Sequence, residues 1–115
     1  FVSFDGGAGT DTLTLLGGID LDLTTSNNIT NIERIDLGNG SEGSKLTLTA
    51  ADVLEVTGSN TLQILGDSHD QVQMIGAIKG AESTINGVTM TQYTLGANTV
   101  FVDNDIVNGM GVIVL

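Results

Sequence analysis

No cysteine, proline or tryptophan occurs in this chain of 115 residues, and Phe1, Phe4, Tyr93 and Phe101 are its only aromatics. Without cysteine there are no disulfides and no zinc held by thiolates. Without proline, the turns fall to Gly, Asn, Asp and Ser. So few aromatics argue against a sandwich core built around a tryptophan and against stacking platforms for sugars. Positive charge is also scarce, with 3 Lys and Arg against 14 Asp and Glu and a formal charge of −11. That balance argues against nucleic acid and anionic membrane as partners, because both recruit basic patches. It favours cations, which would relieve the self-repulsion of the folded chain. No run approaches the roughly 18 consecutive apolar residues of a membrane span, so no membrane insertion is expected. The chain opens inside an apolar run at Phe1 with neither an initiator Met nor a leader pattern, and it reads as a piece of something longer.

What is present is short apolar alternation of period two. TLTLL (Thr12 to Leu16), IDLDL (Ile19 to Leu23), IERIDL (Ile32 to Leu37), KLTLT (Lys45 to Thr49), TLQIL (Thr61 to Leu65) and QVQMI (Gln71 to Ile75) each read as a short strand. The punctuation between them is GG, TTSNN, GNGSEG, TGSN and GDSHD. Their Leu, Ile and Val content predicts a core of aliphatic ladders from stacked strands. Thr49-Ala50-Ala51-Asp52 has the form of a capping box, predicting one short helix near 50–55 with Asp52 as its cap. Asn86-Gly87 between alternating residues is a strong hairpin signal, and LGANTV offers a second tight return. The expected fold is therefore all-β in a single module. Residues 1–76 are expected to form a short-strand β-solenoid or β-roll and 83–115 an antiparallel meander, with 77–83 as a loop or hinge; a β-sandwich is the alternative.

The stretch DGGAGTDTLTL, Asp5 to Leu15, carries the most chemistry. Gly6, Gly7 and Gly9 within four positions lose much conformational freedom on folding. They fit the pattern G-G-x-G-x-D-x-U-x, completed by Asp11 and Leu13, which is a calcium-binding nonapeptide. Glycines there let carbonyl oxygens turn onto a hard cation, Asp11 adds a carboxylate and Asp5 precedes them; a plain tight turn is the other reading.

Along most of its length the chain resembles a domain of the very large RTX adhesins that bacteria export through type I systems. The residues that carry the resemblance are DGGAGTDTLTL, DLDLT (Asp20 to Thr24), NIERIDLGNG (Asn31 to Gly40), LTLTAADVLEV (Leu46 to Val56) and NTLQILGDSHDQVQM (Asn60 to Met74). The resemblance implies an extracellular or cell-surface location, calcium-dependent folding, neighbouring domains in a longer chain, and a role in surface attachment or biofilm. In that family each calcium lies between turns of neighbouring coils. The nonapeptide occurs once, so no continuous ladder of ions is expected.

Three further acidic pairs are candidates. GDSHDQVQM resembles a degenerate second calcium turn with Asp67 and Asp70 as carboxylates and His69 where a glycine would help. Asp103 and Asp105 in VDNDIV have the spacing for a turn that presents both carboxylates to a metal. Asp20 and Asp22 alternate with apolar residues and read as a solvated strand face, and Glu33, Arg34 and Asp36 as ordinary surface charge. Catalysis finds little support, since His69 is the only histidine and neither Lys45 nor Lys79 sits in an apolar setting. The expected role is that of a calcium-stabilised structural module and not an enzyme. The alternative is an adhesion domain that grips a glycan or a surface protein through loops 38–43, 66–70 and 96–98.

Overall fold

The computed structural model describes residues 4–15, 18–25, 29–38 and 41–115. In chain order the elements are β1 (Phe4–Asp5), β2 (Thr12–Thr14), β3 (Asp20–Asp22), β4 (Ile29–Thr30), β5 (Arg34–Asp36), β6 (Lys45–Leu48), α1 (Ala50–Thr57), β7 (Thr61–Leu65) and β8 (Gln71–Met74). They continue with β9 (Ile78–Ile85), β10 (Val88–Leu95), β11 (Asn98–Asp103), α2 (Asn104–Val107) and β12 (Val112–Val114). The fold is thus largely β. Among the described residues no helix is long and apolar enough to cross a membrane.

Period-two alternation places every second side chain on one face, and register decides which of them stack. In a six-stranded sheet of order β2-β5-β7-β11-β10-β9, the first four strands run parallel. Their register aligns Leu13, Ile35, Ile64 and Val102 in one ladder. A four-stranded sheet of order β12-β8-β6-β3 is parallel throughout and aligns Leu21, Leu46, Val72 and Val112. The inner members of both ladders are fully buried, while Leu13, Leu21 and Val112 at the ends are half-buried. Burial of each inner Leu, Ile or Val is worth about 1.5–3 kcal/mol, so the aliphatic ladders are the main apolar contribution to the fold. β1 pairs in parallel with β4 in a separate two-stranded sheet.

The helix expected near 50–55 is α1. The Asp52 carboxylate accepts the Thr49 backbone N–H at 2.8 Å and its hydroxyl at 3.0 Å, so Asp52 acts as a cap. α1 lies beside β4, and the Ile32 N–H donates to the Val56 carbonyl at 2.9 Å.

Of residues 77–83, expected to be a loop or hinge, 78–83 are strand. β9 runs through them and pairs antiparallel with β10 around Asn86-Gly87, whose φ of 52° and 81° suit a two-residue turn that needs positive φ at both positions. Gly80 and Ala81 together face Gln92, because Lys79 pairs with Tyr93 and Glu82 with Thr91. That bulge breaks the alternation, which is why the stretch does not read as a strand. The meander ends at β11: the chain turns through α2, and β12 joins the other sheet in parallel with β8. Leu16, Gly17, Ser26, Asn27, Asn28, Asn39 and Gly40, on which expected strands and turns partly fall, lie outside the described residues.

Candidate metal centre

The first turn leads from β1 to β2. β1 is anchored where the Gly6 N–H donates to the Thr30 carbonyl at 3.1 Å. Asp5 Oδ1 accepts Asn31 Nδ2 at 2.8 Å and the Gly7 N–H at 3.0 Å, and these two bonds hold its carboxyl below the usual carboxylate range. At Gly6 a Cβ would stand 2.3 Å from the Asn31 carbonyl oxygen and 2.8 Å from Asp11, so close approach of backbones demands glycine there. Gly7 and Gly9 take φ of 80° and 90°, which carry the chain round to Asp11.

Asp11 is fixed through its backbone. Its N–H donates to Glu33 Oε1 at 2.8 Å, and its carbonyl accepts from the N–H groups of Glu33 and Arg34 at 3.2 and 3.1 Å. Its Oδ2 is buried without a hydrogen-bond partner, as is Arg34 Nε. A buried polar atom left unpaired costs about 1–3 kcal/mol, and more when charged, so a cation or an ordered water is the partner this oxygen calls for.

The second turn, 66–70, is built differently. Asp70 is buried, yet both its oxygens are taken: Oδ1 accepts the Ser44 N–H at 2.9 Å and Oδ2 the Asp67 N–H at 2.8 Å. Burial pushes its carboxyl above the ordinary value, against the two backbone hydrogen bonds, and the neighbouring Asp67 carboxylate adds to the rise. Asp67 Oδ1 accepts the His69 N–H at 2.9 Å and lies 3.6 Å from His69 Nδ1. Asp103 reaches the same turn, its Oδ2 lying 3.5 Å from the Gly66 nitrogen, while its Oδ1 caps α2 by accepting the Asp105 N–H at 3.0 Å. The Asp103 carboxylate therefore binds backbone, and Asp105 is exposed.

Of the candidate ligands, the structure brings Asp5, Gly6 and Asp11 together around Asn31 and Glu33. It gathers Asp67, Asp70 and Asp103 around Gly66. Among the described residues no three acidic or histidine side chains converge to hold an ion. An ion at the first turn would rest on the Asp11 carboxylate and on carbonyl oxygens. Asn31, Glu33 and Ser44 gave no sign of involvement in the sequence, since their roles depend on strands 22 to 26 residues away pairing in one register.

Comparison with protein-family models, characterised proteins and solved structures finds no match for this chain.

Proposed function

We propose that this chain is a calcium-stabilised structural module of a secreted or cell-surface adhesin of the RTX kind, serving surface attachment or biofilm in a longer protein. The observation that carries the reading is the buried, unpartnered Oδ2 of Asp11 at the end of a turn that supplies Gly6, Gly7 and Gly9. Calcium takes six to eight oxygens in a flexible shell, and a glycine-rich turn offers carbonyls without side chains in the way. Bound there, the ion supplies charge to neutralise the Asp11 carboxylate. The residues around it position that carboxylate: Glu33 fixes the Asp11 backbone, and Asp5 is tied to Asn31 across the β1–β4 pair.

The architecture is read as solenoid-like. Two parallel runs, β2-β5-β7-β11 and β3-β6-β8-β12, add one strand each per pass of the chain, and the β9–β10 hairpin is an insertion before the last pass. Such a stack is stiff along its ladders, which suits a spacer or cap in an extracellular chain.

Thermal melts in excess chelator and in millimolar calcium test the proposal. Extracellular calcium sites bind at roughly 10⁻⁴ to 10⁻³ M, and a ligand at ten times its dissociation constant stabilises by about 1.4 kcal/mol. A midpoint several degrees higher in calcium, and not in equimolar magnesium, is the expected result. Superimposable melts would refute a structural ion.

A further inference from the structure

Asn39-Gly40, Asn86-Gly87 and Asn108-Gly109 are the Asn-Gly pairs of the chain, and the first lies outside the described residues. An asparagine followed by glycine is chemically labile, because glycine has no Cβ to keep its backbone nitrogen away from the asparagine side-chain amide. Whether that nitrogen can attack depends on what holds it.

The Asn86 and Asn108 side chains are both exposed, so access of water does not separate them. Their backbones do. Asn108 caps the end of α2: its N–H donates to the Asn104 carbonyl at 2.9 Å, and the Gly109 N–H donates to the Ile106 carbonyl at 3.0 Å. Gly109 is wedged against the 66–70 turn, where a Cβ would collide with the Ser68 backbone. Its nitrogen is therefore bonded and its peptide is held in place. Asn86-Gly87 lies instead at the tip of the β9–β10 hairpin, beyond the Ile85–Val88 pair that closes the ladder. The Gly87 N–H has no acceptor among the described residues, and nothing lies within 4 Å of where a Gly87 Cβ would stand. The hairpin also opens cheaply, since residues 78–84 are exposed and, among the described residues, β9 pairs with β10 alone.

We infer that Asn86-Gly87 is a site of spontaneous deamidation whose isoaspartate product unpairs β9 from β10. A hydroxide ion takes the proton of the Gly87 nitrogen, which then attacks Asn86 Cγ. The new N–C bond closes a five-membered imide, and the side-chain nitrogen takes a proton from water and leaves as ammonia. Water opens the imide by breaking one of the two bonds to the Gly87 nitrogen: the bond from Cγ, which yields aspartate, or the bond from the main-chain carbonyl carbon, which yields isoaspartate. Each event consumes one water, releases one ammonia and adds one negative charge to the formal −11.

The products differ in consequence. Aspartate tolerates left-handed backbone much as asparagine does, so it fits the φ of 52° at position 86. Isoaspartate routes the main chain through Cβ and Cγ, which adds an atom to a turn whose two-residue length sets the register. The site contains none of the candidate calcium ligands, so it stands apart from the calcium reading.

Incubation of the 115-residue chain in mildly alkaline buffer tests this, with peptide mapping by electron-transfer fragmentation to separate aspartate from isoaspartate. In the folded protein Asn86 should convert about tenfold or more faster than Asn108, and in denaturant the two should convert at comparable rates, because local structure then protects neither. Hydrogen exchange of the isoaspartate form should quicken in β9 and in the β10 amides bonded to it, while Asn86→Asp should exchange like the parent. Conversion of Asn108 as fast as Asn86 in the folded protein, Asn86 left intact there while the denatured chain reacts, or a preference for Asn86 that persists unchanged in denaturant would each overturn the inference. So would an isoaspartate form whose β9 and β10 amides exchange as slowly as those of the parent.

Discussion

Asp70 and Ser44, 26 residues apart in sequence, meet where the buried carboxylate Oδ1 accepts the Ser44 backbone N–H at 2.9 Å, while its Oδ2 holds the Asp67 N–H. One carboxylate thus ties the approach to β6 to the approach to β8, and the Gln71 N–H returns the tie by donating to the Ser44 carbonyl at 2.9 Å. Asp70→Ala leaves the Ser44 and Asp67 donors without a partner and should destabilise by about 2–4 kcal/mol in urea unfolding at neutral pH. An effect within a few tenths of a kcal/mol would mean that water replaces the carboxylate freely.

The same residue sets a pH dependence whose sign follows from its raised carboxyl. As pH climbs past the ordinary carboxylate value, the unfolded chain releases its proton first, so the folded state binds more protons and the stability due to Asp70 falls until its raised folded value is passed. Asp70→Asn removes that dependence. The stability advantage of the parent over Asp70→Asn should therefore narrow as pH rises from about 3 to 7 in urea unfolding. Asp5 acts in the opposite sense, since its lowered carboxyl lends stability that is lost as pH falls through its folded value. A gap that widens with rising pH would contradict the raised value of Asp70.

Gly6 and Gly7 are neighbours with different reasons to be glycine. A methyl at Gly6 would strike the Asn31 carbonyl at 2.3 Å, whereas at Gly7 nothing lies within 4 Å and only φ of +80° resists a side chain. Gly7→Ala should cost about 1 kcal/mol, the strain of a left-handed residue. Gly6→Ala should cost more, because backbone must move to admit it. Thermal midpoints that fall equally for the two, or further for Gly7→Ala, would show that the close approach of Gly6 to Asn31 does not govern this turn.

In the β9–β10 hairpin, Gly87→Val places a β-branched side chain at φ of +81°. Hydrogen exchange should quicken at amides of β10 that face β9 and stay slow in β7 and β8, which lie outside the hairpin. Unchanged exchange from Val88 to Tyr93 would argue against pairing around Asn86-Gly87.

Local chemistry made parts of this architecture legible. α1 is announced by Thr49 and Asp52, three residues apart, and the strands KLTL, TLQIL and QVQM by alternation within a few positions. Their partners are not announced, because register is set by contacts between strands distant in sequence. Glu33 read as surface charge, yet it lies beside Asp11 once Thr12 pairs with Arg34. Asp103 read as half of a ligand pair with Asp105, and a single turn of helix makes it an N-cap. The glycine-rich stretch 5–11 was recognisable as a turn with an acidic end, but the buried, unpartnered oxygen of Asp11 emerges only when the Asn31–Arg34 backbone is packed against it.

A calcium ion at the first turn would rest on that oxygen, and calorimetric calcium titration of the parent and of Asp11→Asn decides whether it does. Asparagine keeps the size and an acceptor oxygen but removes the charge on which a hard cation depends. Asp11→Asn should bind calcium about tenfold more weakly or not at all. It should also melt below the parent in millimolar calcium and close to it in chelator. Calcium binding by Asp11→Asn as tight as that of the parent would rule out Asp11 as a ligand and leave Gly6, Gly7 and Gly9 with no task beyond bending the chain.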